Sequence, residues 1–235
     1  MKKPNDALTI GEVAASFGWS PRFVEALVRA EKIPGLEING AHYFRRDDII
    51  DWLDQKIQTL DAARLGELER KLETDLNEPA KKIPVQLDIR EYLLPSAIEL
   101  DVPLSSKRTI LERLVDLASS TGRVLDRAHV LASLIEREAI LSTALPGGVA
   151  ICHPRRPVSS ALSDSVLAFL RTSTPVPFGS EYGPTQLFFL LVATDERTHL
   201  HGLARLTRIL RSDTIHKLAD PDVEDVGVII DLLSD

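Results

Sequence analysis

A proline-containing break in the first half of the chain most constrains how this sequence can fold. Residues 77–84 have the sequence NEPAKKIP, in which two prolines end a preceding helical pattern. Apolar residues make up 44% of the 235 residues, and a chain of this length is long enough for two ordinary domains. We therefore predict a small domain over residues 1–55, a helical linker over residues 56–85 and a larger domain over residues 86–235.

Composition and charge exclude several classes of protein. The longest apolar run, residues 187–193, is far shorter than the ~20 residues of a membrane-spanning helix. No apolar stretch of signal-peptide length follows the basic N-terminus, and the single cysteine, Cys152, excludes an intrachain disulfide, so we expect a cytoplasmic protein. A net charge of −7 argues against nucleic-acid binding by the whole surface, so any such contact has to be local.

The N-terminal part carries the signals of two short helices joined by a tight turn. Thr9 is placed to cap a first helix that Gly18 ends. Ser20 followed by Pro21 predicts the start of a second helix, because proline suits the first helical position. Apolar residues then recur at helical spacing at positions 23, 24, 27 and 28, up to a stop at residues 33–35.

A hairpin and a third helix complete this segment. Asn39 and Gly40 tolerate positive φ and lie between two strand-like runs, residues 36–38 and 42–44, so they predict a hairpin that would form a wing. Residues 45–48 lead into a helix with its apolar positions at Ile49, Ile50, Trp52 and Leu53. The segment thereby gains a small core of its own.

The pattern of helix, turn, helix, Asn-Gly hairpin and helix over residues 8–53 resembles the excisionase and MerR-like class of winged helix-turn-helix DNA-binding domains. The resemblance implies that the second helix enters the major groove and that the wing contacts phosphates. The DNA-binding candidates are therefore Arg22, Glu25 and Arg29 on the second helix and Arg45 and Arg46 on the wing. Because basic and acidic residues are nearly balanced over residues 1–56, a protein-docking role stays open as the alternative.

A periodic apolar stripe runs from Ile50 to Leu76 within a charge-rich stretch. The 3-4 spacing predicts one exposed helix whose stripe needs cover. A second copy of the same helix would supply that cover in a homodimer, and packing on the chain's own second domain is the open alternative.

The C-terminal segment alternates strand-like and helix-like runs. The predicted strands are residues 97–102, 148–151, 166–170 and 187–193, and the predicted helices follow Ser105 or Ser106, Asp126 and the approach to His199. Alternation of this kind predicts an α/β domain with a mixed sheet covered by helices.

One predicted strand, residues 148–151, runs directly into a histidine, His153, which is followed by Pro154 and two arginines. The imidazole therefore lies at the end of a strand, where α/β domains keep their chemistry. Arg137 with Glu138, then Ser142 with Thr143, precede that strand.

These residues, in this order and spacing, resemble the mannitol and fructose type of enzyme IIA of the bacterial sugar phosphotransferase system, including its nitrogen-regulatory relatives. The resemblance extends from residues 89–93 nearly to the C-terminus. The sequence departs from the family pattern at two places. Cys152 replaces the usual proline before the histidine, and Pro146 with Gly147 replaces a glycine and polar pair.

The resemblance implies a role for each of these residues. His153 would accept a phosphoryl group from a small carrier protein of the HPr type. Arg137 would neutralise that group with its guanidinium. His199 would be the second histidine of the family, which donates a hydrogen bond or orients His153, and Ser142 and Thr143 would add hydroxyl donors.

We expect no chemical role for the remaining histidines and the cysteine. His199 and His201 are two residues apart on a predicted helix and face different sides, so no metal site and no cofactor are expected. His42, His129 and His216 are expected at the surface or in structural roles. Cys152 is expected to be a packing residue, because reactivity would need a depressed pKa.

Three functions are compatible with these motifs. The leading hypothesis is a transcriptional regulator that responds to phosphorylation of His153. A phosphotransfer component of a sugar phosphotransferase system is the second hypothesis, and a protein-docking regulator that is not phosphorylated is the third.

Overall fold

The computed structural model describes residues 7–17, 20–31, 33–60, 63, 65–66, 88–179 and 181–234. The chain forms two compact units, residues 1–86 and residues 87–235, which are described in turn.

The first unit combines three helices with a small antiparallel sheet. Its elements are β1 (Ala7–Thr9), α1 (Ile10–Phe17), α2 (Pro21–Glu31), β2 (Leu36–Ile38), β3 (Ala41–Arg45) and α3 (Arg46–Thr59). The strands lie in the order β1-β3-β2. Val13, Val24, Phe44, Ile49 and Ile50 form the buried core of this unit, whereas Trp52 is only half-buried.

Side-chain caps explain where the first two helices begin. The Glu12 backbone N–H donates to Thr9 Oγ1 at 3.3 Å, and the Thr9 backbone N–H donates back to the Glu12 carboxylate at 2.8 Å. This reciprocal pair satisfies two donors that a helix start would otherwise leave without partners. At α2 the Phe23 backbone N–H donates to Ser20 Oγ at 3.2 Å. Both predicted caps are confirmed.

The predicted hairpin is also confirmed, and it gains a third strand. Asn39 and Gly40 have φ values of 53° and 76°, as a tight two-residue turn requires. Strand β1 adds to the other edge of β3, with Ala7 opposite Arg45 and Thr9 opposite Tyr43. Sequence reasoning missed β1, because three residues before a helix carry no alternating pattern.

The prediction of one continuous helix from residue 50 to residue 76 is wrong at Leu60. Helix α3 ends at Thr59, and Leu60 has φ −74° and ψ 145°, which is extended backbone. Leu65, beyond the break, is buried as its spacing predicts. Apolar spacing therefore indicates which residues are buried, but not that they all belong to one helix. Leu68, Leu72 and Leu76 lie outside the described residues, and dimerisation through this segment stays a prediction.

The second unit is a five-stranded mixed sheet covered by helices, which confirms the predicted fold class. Its elements are α4 (Ile89–Tyr92), β4 (Leu93–Val102), α5 (Lys107–Ser120), α6 (Arg127–Ile140), β5 (Ala144–Leu145), β6 (Val149–Cys152), a 3₁₀ turn (Ser159–Ala161), β7 (Val166–Val176), β8 (Thr185–Val192), α7 (Glu196–Ile209), α8 (Ser212–Ala219) and α9 (Val226–Ser234). The strand order is β4-β7-β8-β6-β5. Strand β4 is parallel to β7 and β6 is parallel to β8, while β7 is antiparallel to β8 and β5 to β6.

In the second unit, too, the helix caps and the buried strands agree with the sequence-based predictions. Ser106 accepts from the Thr109 backbone N–H at 3.2 Å, and Asp126 accepts from the His129 backbone N–H at 2.9 Å, so α5 and α6 begin where predicted. Strands β7 and β8 are buried almost throughout, because helices cover both faces of the sheet. The core is dense at their centre, where the rings of Phe169 and Phe189 lie 4.7 Å apart.

A buried arginine joins three parts of the second unit. Arg171 on β7 is fully buried and donates Nε and Nη2 to the Asp101 carboxylate at 2.9 and 2.6 Å. Its Nη1 donates to the carbonyl of Leu218, in the last turn of α8, and to that of Asp220, directly after the helix. Asp101 has φ 55°, an uncommon conformation that this paired contact helps to hold. Sequence reasoning predicted neither this link nor α4, β5, α8 and α9.

Candidate functional site

Strand β6 delivers a histidine to one end of the sheet. Residues 149–154 are all buried, and His153, directly after β6, is 1% exposed. The parallel pairing of β6 with β8, from Val149 opposite Leu187 to Cys152 opposite Leu190, fixes the direction of the strand. His153 therefore lies at the carboxyl end of a strand, as predicted, and that strand is the fourth of the five in the sheet.

A hydrogen bond to the backbone selects the tautomer of this histidine. His153 Nδ1 lies 2.7 Å from the carbonyl oxygen of Ile151. A carbonyl oxygen can only accept, so Nδ1 carries the hydrogen. The neutral imidazole then has its lone pair on Nε2, and Nε2 is the nucleophilic atom.

Helix α7 brings the second predicted histidine to the first. Asp195 caps α7 by accepting from the Thr198 backbone N–H at 2.9 Å, and His199 follows one residue later, 1% exposed. The ring centroids of His153 and His199 lie 5.3 Å apart with an interplanar angle of 63°, an edge-on arrangement. The structure therefore places together two imidazoles that are 46 positions apart along the chain (199 − 153). His201, on the same helix, is also buried.

Arg137 is a buried residue at the end of α6. It is 6% exposed, and its Nη1 donates to the carbonyl oxygen of Leu141 at 2.8 Å, which satisfies a carbonyl just past the helix end. Arg137 lines a cleft that Arg155 and Arg156 also line. These two arginines follow His153 closely, and sequence reasoning did not assign them to the site, although a basic pair directly after the histidine was visible.

A buried carboxylate, Glu138, organises the turn between α6 and β5. It accepts from Lys107 Nζ at 2.9 Å, from the Thr143 backbone N–H at 3.0 Å and from Thr143 Oγ1 at 2.7 Å. Thr143 Oγ1 also lies 3.7 Å from Cys152 Sγ, which connects the turn to the strand that carries His153. Sequence reasoning missed the role of Glu138, because its partner Lys107 is on another helix.

The predicted hydroxyl donors are engaged inside the protein. Thr143 is buried and donates its hydroxyl to Glu138. Ser142 is half-buried and donates its hydroxyl to the Phe178 carbonyl at 3.1 Å. Contact of either hydroxyl with a phosphoryl group stays a prediction, and both hydroxyls order the turn beside the site.

The two departures from the family pattern fit this local geometry. Burial raises the pKa of the Cys152 thiol to about 12, and the Glu138 carboxylate acts in the same direction. Cys152 is therefore a neutral packing residue at physiological pH. Gly147 and Gly148 have φ values of 89° and 76°, so the turn from β5 into β6 needs residues that tolerate the left-handed region.

The DNA-binding candidates lie on the surface of the first unit. Arg22 and Arg29 on α2 are exposed, and Glu25 forms an exposed ion pair with Arg29 at 3.7 Å. Such a pair contributes little to stability and offsets part of the basic charge of that face. Arg45 ends β3, whereas Arg46 is the first residue of α3 and so lies just beyond the wing. Contact of either residue with phosphate stays a prediction.

No helix in the parts of the chain described above is long and apolar enough to cross a membrane.

Comparison with known proteins identifies both units. The family model described as phosphoenolpyruvate-dependent sugar phosphotransferase system, EIIA 2, matches residues 91–234. A helix-turn-helix domain model matches residues 7–57.

Relatives and solved structures agree with the family match. A nitrogen regulatory protein of Bradyrhizobium diazoefficiens is 34% identical over 134 residues, which cover 56% of this chain and 85% of that protein. The fructose-specific EIIABC component of Bacillus subtilis is 29% identical over 63% of this chain, and the match spans only 23% of that longer protein. The crystal structure of nitrogen regulatory protein IIA-Ntr from Neisseria meningitidis superposes with a TM-score of 0.55 at 29% identity, over 61% of this chain and 97% of that one. The chain therefore belongs to the EIIA 2 family of the phosphoenolpyruvate-dependent sugar phosphotransferase system, and carries a helix-turn-helix domain in addition.

Proposed function

We propose that this protein is a cytoplasmic transcriptional regulator whose IIA domain accepts a phosphoryl group on Nε2 of His153 from an HPr-type carrier. The observation that carries the proposal is the hydrogen bond from His153 Nδ1 to the Ile151 carbonyl at 2.7 Å, with the His199 ring 5.3 Å away. One nitrogen is held as the donor, so the other carries the lone pair that can act as the nucleophile.

The transfer step uses few groups. The Nε2 lone pair attacks the phosphorus of the carrier's phosphohistidine, the new N–P bond forms, and the carrier's N–P bond breaks, with its electron pair returning to the carrier's imidazole. Nδ1–H keeps its bond to the Ile151 carbonyl, which stabilises the ring as it gains positive character. Arg137 supplies positive charge near the transferring group, because phosphoryl transfer needs positioning and charge neutralisation above all.

The helix-turn-helix unit supplies the regulatory half of the proposal. A phosphoryl group adds about −1.5 to −2 charges at neutral pH, which is enough to change an interface. The nitrogen regulatory proteins among the relatives support a regulatory role for the IIA domain. A homodimer that pairs two helix-turn-helix units would compensate for the nearly balanced charge of residues 1–56.

Phosphorylation is tested with a phosphorylated HPr-type donor and the full chain. We expect one acid-labile phosphate per chain, which His153→Ala abolishes. His216→Ala is the matched control, because His216 is an exposed histidine on α8. Acid-stable label, or label that persists in His153→Ala, would contradict the assignment.

DNA binding is tested by salt-dependent gel shifts with phosphorylated and unphosphorylated protein. Arg22→Ala should relax sequence preference at a cost of about 1–3 kcal/mol at one base pair. Arg45→Ala should weaken binding to all sequences alike and flatten the salt slope by about one unit. Phosphorylation of His153 without any DNA affinity would favour the phosphotransfer component, and absence of both would favour the docking regulator that is not phosphorylated. Equal DNA affinity in both states would refute regulation by phosphorylation.

A further inference from the structure

A cleft of about 350 Å³ opens between helix α6 and the loop that follows His153. Arg137 and His129 line one side, and residues 155–160 line the other. The His153 imidazole is not among the described groups that line this cleft. The cleft therefore does not include the proposed phosphoacceptor, so its own lining determines what it can bind.

The charge of the lining selects an anionic ligand. The lining residues include three arginines, Arg137, Arg155 and Arg156, and one acidic residue, Glu136. This local excess of positive charge occurs in a chain with a net charge of −7. Arg137 is 6% exposed and anchored on the Leu141 carbonyl, so its charge is held in place and only weakly screened by water.

The uncharged lining residues indicate what the rest of the ligand should be like. Ser133, Ser159 and Ser160 offer hydroxyl donors, while Ile140, Pro157 and Val158 form apolar wall. The volume lies at the lower end of the roughly 300–1,000 Å³ range of small-molecule sites. An ion alone would leave the apolar wall without a contact, so a small organic molecule fits better.

We propose that this cleft binds a small phosphate monoester. A phosphate monoester carries most of two negative charges on three oxygens of one group, which suits a small cleft with three arginines among its lining residues. A dicarboxylate spreads a similar charge over two ends and leaves one end against the apolar wall. The carbon body of the ester packs against Ile140, Pro157 and Val158.

Occupancy would also affect phosphoryl transfer. Arg137 lines the cleft and is the cation proposed to neutralise the transferring group, so a bound phosphate ester competes for it. This consequence rests on the proposed function, whereas the binding itself does not. A binding measurement on the unphosphorylated protein therefore tests the cleft without testing phosphotransfer.

The test is isothermal titration calorimetry of the full chain at fixed ionic strength, with glycerol 3-phosphate, inorganic phosphate and succinate as probes. We expect glycerol 3-phosphate to bind saturably and more tightly than the other two. Arg155→Gln and Arg156→Gln should each weaken its binding roughly tenfold or more, because each removes a charge-assisted contact. Arg211→Gln is the matched control and should leave binding unchanged, because Arg211 is an exposed arginine outside the cleft.

Four outcomes would overturn the proposal. The first is that glycerol 3-phosphate shows no saturable binding up to about 10 mM, a concentration that fills even weak sites. The second and third are that succinate or inorganic phosphate binds as tightly as glycerol 3-phosphate. The fourth is that Arg211→Gln weakens binding as much as the cleft variants do, which would show a general effect of charge. If the protein binds the ester but is not phosphorylated at His153, the proposed function is refuted and the cleft proposal is not.

Discussion

The contacts of Glu138 predict how strongly one buried carboxylate supports the site. Glu138 is 7% exposed and accepts three hydrogen bonds, one from Lys107 and two from Thr143. Glu138→Gln keeps an oxygen for Thr143 but turns the ion pair with Lys107 into a contact between two donors. A hydrogen bond to a charged group contributes about 1.5–3 kcal/mol, so we expect Glu138→Gln to lower the free energy of unfolding by that amount.

Glu138→Ala should cost more than Glu138→Gln. It removes both carboxylate oxygens, and with them all three hydrogen bonds, and leaves the Thr143 backbone N–H without this partner in a buried position. The expected loss is therefore about 3–5 kcal/mol. Urea unfolding of the full chain measures both variants, with Glu112→Gln as the control on an exposed pair with Arg108 on α5. That control should stay within about 1 kcal/mol of wild type.

A double-mutant cycle isolates the ion pair. Lys107 is 35% exposed at its side chain and also lies 4.7 Å from the Phe178 ring, so Lys107→Met retains most of its packing. We expect a coupling of about 1–2 kcal/mol between Glu138→Gln and Lys107→Met. A coupling near zero, or Glu138→Gln as stable as wild type, would refute the reasoning that this carboxylate holds the turn next to β6.

Three further predictions concern other parts of the second unit. Arg137→Lys should accept phosphate from the carrier about 10²–10³ times more slowly than wild type, because one ammonium cannot reproduce paired guanidinium contacts; equal transfer rates would remove Arg137 from the site. Arg171→Met should lower the free energy of unfolding by about 3 kcal/mol in urea titrations, since it breaks a buried link to Asp101, whereas Arg113→Met at an exposed pair should cost less than about 1 kcal/mol. Because burial raises the pKa of Cys152 from 9.0 to about 12, the folded state keeps a proton that the unfolded chain loses, so stability should fall between pH 9 and 12, by up to about 1.4 kcal/mol per pH unit. Cys152→Ala should remove that part of the alkaline decline, and an unchanged pH slope would contradict it.

Local signals in the sequence predicted most of the helices and strands correctly. Ser20, Ser106 and Asp126 each cap the helix that was expected to start beside them, because a cap depends only on residues two or three positions away. The Asn39-Gly40 turn has the same local origin. The break at Leu60 was missed for the opposite reason, since periodic burial continued to Leu65 while the backbone left the helix.

Links between distant residues could not be predicted. Arg171 meets Asp101 across 70 positions, and Lys107 meets Glu138 across 31, and no local pattern marks either pair. A lone arginine in an apolar strand is the only trace of the first pair in the sequence. Burial of such a residue requires partners, but the sequence does not say which acidic residue supplies them.

The sequence predicts the position of His153, whereas only the structure identifies which of its ring nitrogens is the nucleophile. The sequence places a histidine after an apolar strand and before Pro154. Because a residue before proline disfavours helical backbone, the sequence predicts an extended conformation at His153. Only the fold adds that Nδ1 lies 2.7 Å from the Ile151 carbonyl, which fixes the hydrogen on Nδ1 and the lone pair on Nε2. The bond spans only two residues of one segment, so the identity of the nucleophilic atom depends on the local backbone conformation of residues 151–153. The pairing of β6 with β8 and the position of α7 add what the local contact cannot, because they bring the His199 ring to 5.3 Å from that of His153. A change that shifts β6 by one residue would therefore separate the two imidazoles and turn the strand's side chains to the opposite face, without touching His153.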